Sequence, residues 1–531
     1  MLQEHLLLVI CLLFGIAILT MLSNKINVSY PILLVVSGLI ISLIPGIPSI
    51  TLDPDLVFLI FLPPLLYAAA WNTSWNDFWK QKRPISLLAF GLVFFTSASV
   101  AYVSHAIIPD FPLAYGFLLG GIISPPDAIA ATSVLQGLKI PKRVVIILEG
   151  ESLVNDASSL IVFRFALAAI VTGQFHLGDA TKTFALVASL GIIIGLAIAY
   201  FVYIIHRFLP TTPSIDAAIT LITPYIMYIT AEHFHFSGVL AVVSGGLFLS
   251  FHSQEIFTYE TRLHVAGLWE TLTFLLNGFV FILIGLQLPA IVNGLGNYSV
   301  GQSIFYAIVI SLLTIIIRII WVFPGAYIPR WLFKSIRETE TKPTWQAVLL
   351  VAWSGMRGVV SLASALAIPL TLAGEAFPHR NLILFITFMV ILVTLVLQGL
   401  SLKPLIRFLK INVNEKELER LQTLSLRIRL AESVLSYLDT NYPEETQNNE
   451  TYKRVRDRYE RMIEITKRKL ENDEARDEEE TFLPQYRQML IELVHIRRRE
   501  LKYIRYKGEF SEEMVREREW ELDLEEARLR N

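Results

Sequence analysis

Between residues 6 and 402 the chain is almost continuous apolar sequence divided by short polar loops, and this succession limits the fold more than any single motif. Stretches long enough to cross ~30 Å of hydrocarbon fall at 6–22, 30–44, 55–70, 84–108, 113–134, 144–171, 184–208, 214–231, 236–252, 266–290, 301–328, 345–370 and 382–402. Thirteen such runs predict an all-α, polytopic membrane protein. Hydrophobic residues make up 54% of the chain and charged residues 17%, which excludes an ordinary soluble protein of this length. The first run, "LLLVICLLFGIAILTML", has no basic segment before it and no small-residue cleavage site after it, so it reads as a retained span.

More than half of the charged residues lie beyond residue 410. The chain therefore divides into a membrane body, 1–410, and a charge-rich tail, 411–531, with helical patterning over 414–440, 451–471, 482–507 and 511–530. Within the tail, "ENDEARDEEE" (471–480) reads as a solvated linker, while Gly508 and Ser511 read as a helix stop and an N-cap. The net charge of −2 leaves no basic footprint, so nucleic acid is not an expected partner. Cys11 stands alone, which excludes an internal disulfide and a thiolate metal cluster.

Loop charge gives the orientation. The odd-numbered loops carry Lys25; Lys80, Lys82 and Arg83; Lys139, Lys142 and Arg143; Arg207; Arg262; and Arg330, Lys334, Arg337 and Lys342, whereas the even ones carry only Lys182 and Arg380. The positive-inside rule then puts the N-terminus outside and the tail in the cytoplasm of a cell-membrane protein.

Two spans are interrupted. The fifth contains "GGIISPPDAIAA" (120–131), where Pro125 and Pro126 remove two backbone donors and break the helix. The twelfth contains "WSGMRGVVS" (353–361), where Gly355 and Gly358 bracket Arg357. Their offset of seven spans suits two inverted six-span repeats, spans 1–6 and 8–13 joined by span 7, with a binding site where the broken helices cross.

The sixth span carries "ILEGESLVNDASSLIVF" (147–163). A mid-membrane carboxylate costs at least ~2.5 kcal/mol, so Asp156 and Asp127 point to function. Ser152 and Asp156 share one helical face, and Glu151 and Asn155 form a second pair about 100° away. Oxygens from Ser152, Asp156, the Asp127 region and the unwound backbone from Ser124 to Pro126 make a hard-ligand site for a monovalent cation, with Asp156 and Ser152 as metal ligands. No resident cofactor is implied. Asp127 follows Pro126 directly, where it either joins the site or caps the half-helix.

Arg357 is the only cation at the presumed crossing, which makes Glu151 its expected partner in a structural ion pair. Glu149 is expected at a solvated interface near Arg143. Arg164 could pair with a carboxylate or snorkel. Glu270, Arg318 and Asp216 stand open between interior pairing and interfacial placement, and His105, His233 and His235 are expected near solvent.

At "SPPDA", "GESLVNDA" and "GMRGVVSLA" the chain resembles the Na+/H+ exchanger family of cation:proton antiporters, including its bacterial NhaP-type members. The resemblance implies that Asp156 is the ion- and proton-binding aspartate, that Asn155 marks the electroneutral branch, and that Asp127 and Ser152 support the site. It implies the Glu151–Arg357 ion pair as well. A homodimer is also implied, each protomer moving an ion-translocating core against a dimerisation domain within membrane lipid. In "FLPPLLYAAAW" (61–71) the chain has Ala68, Ala69 and Ala70 where many members carry an acidic residue, so no ligand is expected from the third span.

The expected activity is transport: electroneutral exchange of Na+, with Li+ or K+ as further candidates, for H+. If one carboxylate binds either a proton or a cation, the two loaded states carry equal charge and cross, while the empty charged state does not. A K+-preferring antiporter is the alternative. An intramembrane aspartyl protease using Asp127 and Asp156, or a cation channel, is a remoter one.

Overall fold

The computed structural model describes residues 2–26, 28–44, 57–135, 138, 140–173, 177–296, 298–340, 342–372, 374–409, 415–471, 474–507 and 512–530. These are helical apart from loops and one two-stranded hairpin, Thr371–Leu372 with Glu375–Ala376. The chain forms two compact units, Met1–Asn412 and Val413–Asn531.

In the first unit, eight helices among the described residues are long and apolar enough to cross a membrane: Lys82–Ile107, Leu113–Leu135, Lys142–Thr172, Lys182–Phe208, Pro213–His233, Tyr259–Asn293, Val300–Leu332 and Arg380–Leu409. Four shorter apolar helices accompany them, Val9–Ser23, Tyr30–Ser42, Leu59–Asn72 and Gly238–Phe251. The stretch at 345–370 belongs to neither group because it is cut into Trp345–Trp353 and Val359–Leu366, of 9 and 8 residues. The unit is a multi-pass membrane body.

A continuous apolar core joins the fifth, twelfth and thirteenth stretches, with Leu118, Leu119, Leu350, Ala365, Ile386 and Ile391 all buried. Both interrupted helices are anchored in this core. A smaller cluster centred on Tyr67, Met227, Ala241 and Trp269 packs the third stretch against the eighth, ninth and tenth.

The second unit pairs its helices antiparallel. Glu415–Asn441 runs against Glu450–Glu471, tied by Arg456–Asp439 at 3.2 Å and Lys467–Glu432 at 3.6 Å. Glu474–Lys507 runs against Glu512–Arg530 through Arg497–Glu525 at 2.6 Å and Arg498–Asp523 at 2.7 Å. Most of the acidic run expected as a linker is instead the start of the Glu474–Lys507 helix. The stop and cap expected at Gly508 and Ser511 lie outside the described residues.

Candidate functional site

Both interruptions are real breaks. The Leu113–Ile123 helix closes with Ser124 N–H donating to Gly120 O at 2.9 Å. Pro125 and Pro126 have no N–H to continue the ladder, and helix resumes only at Ala128. In the twelfth stretch Ser354 N–H donates to Leu350 O at 2.9 Å, and helix resumes at Val359. Backbone groups freed in a membrane interior need partners, and these two breaks supply each other: Asp127 N–H donates to Met356 O at 2.7 Å. A Cβ on Gly358 would run into the Asp127 carboxylate, so glycine is what permits the close approach. A π-helical turn, Thr394–Gln398, offers Thr394 Oγ1 to Arg357 N–H at 3.1 Å.

The Lys142–Thr172 helix crosses this junction and is tied to it. Asn155 Nδ2 donates to Pro126 O at 2.9 Å, and Ser152 Oγ accepts from Ala128 N–H at 3.3 Å. Asp127 Oδ1 accepts from Ile129 N–H at 2.8 Å, capping the half-helix. These bonds leave specific oxygens uncommitted. Asp127 Oδ2, Asn155 Oδ1 and Ser361 Oγ are buried without a partner. Asp156 is 6% exposed, and neither of its carboxylate oxygens accepts a hydrogen bond among the described residues.

Asp127, Ser152, Asp156 and Ser361 line a cavity of about 200 Å³. Its opposite wall is apolar, from Leu62, Leu65, Leu66 and Ala69 of the Leu62–Asn72 helix, so the third stretch adds no carboxylate. Buried oxygens normally find partners, and a hard monovalent cation or a proton would satisfy these.

The ion pair differs from the sequence expectation. Glu151 does not pair with Arg357; it pairs with Arg318 of the Val300–Leu332 helix, whose Nη1 and Nη2 donate to Oε1 and Oε2 at 2.6 and 2.7 Å. Arg318 Nε and Nη2 also donate to Val351 O at 3.2 and 3.1 Å. The guanidinium fork engages both carboxylate oxygens, and Arg357 makes no hydrogen bond to Glu151 among the described residues. Arg357 is buried in the second break with Nε and Nη1 unpartnered.

Other charged residues settle as follows. Glu149, expected at a solvated interface, is half-buried in the cavity wall. Arg164 pairs with Glu232 at 2.7 Å, and buried Asp216 accepts from Thr261 Oγ1 at 3.1 Å and lies 2.8 Å from His206 Nδ1. Glu270, His233 and His235 are exposed, and His105 Nδ1 lies 2.7 Å from Phe111 O. Asn72, Thr132 and Ser361 line the cavity without having been singled out in the sequence, and Glu149 lines it although a solvated interface was expected. Helical spacing carried a signal for Glu149, since it stands at i and Ser152 at i+3 on one face.

The family model "Sodium/hydrogen exchanger, transmembrane" matches residues 9–408. The chain is 36% identical over 401 residues to the sodium, potassium, lithium and rubidium/H+ antiporter of Bacillus pumilus, covering 72% of this chain and 59% of that protein. It thus spans less than two thirds of that relative. With the uncharacterised Na+/H+ exchanger YjcE of Escherichia coli it shares 30% identity over 507 residues, 90% of each chain. Its fold is similar to that of the sodium proton antiporter MjNhaP1 from Methanocaldococcus jannaschii, with a TM-score of 0.60 at 20% identity, over 75% of this chain and 99% of that one. The chain belongs to the sodium/hydrogen exchanger family of cation/proton antiporters.

Proposed function

We propose that the protein exchanges Na+, and also Li+ or K+, for H+ across the cell membrane, with Asp156 binding cation and proton in turn. The observation that carries this reading is the Asp156 carboxylate, buried yet unpartnered in a cavity beside two broken helices. A proton and a monovalent cation each neutralise it, so each loaded form avoids the cost of a bare charge in the membrane interior. Ser152 and Asp127 contribute further oxygens, Pro126 and Asn155 hold the junction that presents them, and Glu151 is a structural anion.

One proton for one cation moves no net charge, so the membrane potential, worth ~2.3 kcal/mol per charge per 100 mV, neither drives nor opposes turnover. In this reading all thirteen stretches cross, as two inverted six-span repeats joined by the seventh, residues 1–410 are the exchange domain of a lipid-embedded homodimer, the N-terminus lies outside, and 411–531 is a cytoplasmic tail.

The test is proton movement in everted vesicles, followed with a pH-sensitive dye as Na+, Li+ or K+ is added to wild type and Asp156→Asn. Cation-dependent proton movement that vanishes in the variant is expected. Activity in Asp156→Asn would move the ion site elsewhere, and silence of the wild type toward every ion would overturn antiport.

A further inference from the structure

The cavity holding Asp156 and Asp127 has a third carboxylate at its rim that exchange at Asp156 leaves unused. Glu149, Ser152 and Asp156 stand at i, i+3 and i+7 of one helix, share a face, and all line the cavity. Glu149 makes no hydrogen bond or ion pair among the described residues. Nearby Arg143 does not serve it, because Arg143 Nε donates to Gln81 at 3.0 Å and its Nη2 lies 3.6 Å from Glu340.

Depth along the cavity is ordered. Glu149 lies about 10 Å along the helix axis from Asp156, on the side of Lys142. Asn72, exposed, and Thr132, half-buried, line the cavity with it, whereas Asp156 is 6% exposed. Asp127, Glu149 and Asp156 all line the space, and no basic side chain does among the described residues. That an ion belongs there is indicated independently by the unpartnered carboxylate of buried Asp156 and by the buried, unpartnered Asp127 Oδ2.

We propose that Glu149 is an outer cation site, which collects a monovalent cation at the rim before it passes to Asp156; the proposal rests on the exchange reading above. One partly hydrated carboxylate with no neighbouring cation holds Na+ weakly and briefly, which suits a site that must fill and empty in every cycle. Asp156 then governs which ion is exchanged, and Glu149 governs the concentration at which the cavity fills.

The test compares initial rates of Na+-driven proton movement against Na+ concentration in vesicles carrying wild type, Glu149→Gln, Glu149→Ala, Glu149→Asp or Asp156→Asn, at low and high choline chloride. Glu149→Gln and Glu149→Ala are expected to raise the apparent KM about fivefold, or about 1 kcal/mol at 1.4 kcal/mol per tenfold. The saturating rate should stay within about twofold, the signature of lost binding with the later steps intact. Glu149→Asp should recover most of the affinity, and high choline should narrow the gap by screening. A wild-type KM in both neutral variants would overturn the outer site, as would a fall in saturating rate at unchanged KM. With active wild type and silent Asp156→Asn, either result refutes the outer site alone. A silent wild type would bring down antiport and the outer site together.

Discussion

Replacing Arg318 by Met tests the buried ion pair with a number attached. Arg318 and Glu151 are each 1% exposed, and Glu151 takes both of its hydrogen bonds from this one guanidinium. Removing Arg318 strands a carboxylate that water does not reach, a change that costs about 3–5 kcal/mol. Replacing both partners by Met removes the stranded charge and leaves the loss of the Arg318 bonds to Val351 O, about 1 kcal/mol. The double-mutant cycle should therefore give a coupling at or above the upper end of the ~0.5–3 kcal/mol seen for contacting residues. The same cycle on Glu151 and Arg357, which share no hydrogen bond, should give clearly less. The assay is unfolding of the purified protein in mixed micelles titrated with SDS and followed by tryptophan fluorescence. Stronger coupling of Glu151 to Arg357 than to Arg318, or a cost below about 1 kcal/mol for Arg318→Met, would refute the pairing.

Gly355→Ala should behave like a mild Arg318→Met, because its Cβ would meet the Arg318 side chain, with Nε only 2.7 Å away; the same unfolding assay reads it. Gly358→Ala drives a methyl into the Asp127 carboxylate at the crossing, so cation-driven proton movement should be lost while the protein still reaches the membrane, measured by dye signal and immunoblot of vesicles. The Arg164–Glu232 pair is 45% and 30% exposed, and Arg164→Gln should change unfolding free energy by only ~0.2–1 kcal/mol. At the loop residue Glu340, the hydrogen bond from Arg83 holds the carboxyl below its ordinary value. Its folded pKa is depressed, so its stabilisation is present above the unfolded value of ~4.3 and is lost as pH falls through the lower folded value. Glu340→Gln should flatten the acid limb of a stability–pH curve and leave the alkaline limb unchanged.

Much of this arrangement is legible in local sequence because its causes are local. Two consecutive prolines before Asp127 remove two backbone donors in mid-span, and Gly355 and Gly358 around Arg357 mark the second break. Apolar length locates the helices, yet among the described residues only eight are long and apolar enough to cross a membrane, because four more are short apolar helices and the stretch at 345–370 is broken in two. The partner of Glu151 was not legible. Arg318 lies 167 residues away, and nothing in its own helix says whether it faces lipid, solvent or the bundle. Arg357 is nearer in motif but sits on non-helical backbone, where spacing does not fix direction. Glu149 was legible in part, since its helical register with Ser152 and Asp156 put it on the site face; the depth of the cavity, set by the Leu62–Asn72 helix opposite, was not.

The measurement that bears most directly on Asp156 as the shared site is proton release by purified protein in weakly buffered detergent solution when Na+ is added, with bound Na+ counted in parallel. Competition at one carboxylate predicts about one proton released per Na+ bound in wild type, and neither release nor binding in Asp156→Asn. Na+ binding without proton release, or equal release from Asp156→Asn, would contradict a single carboxylate that serves both ions.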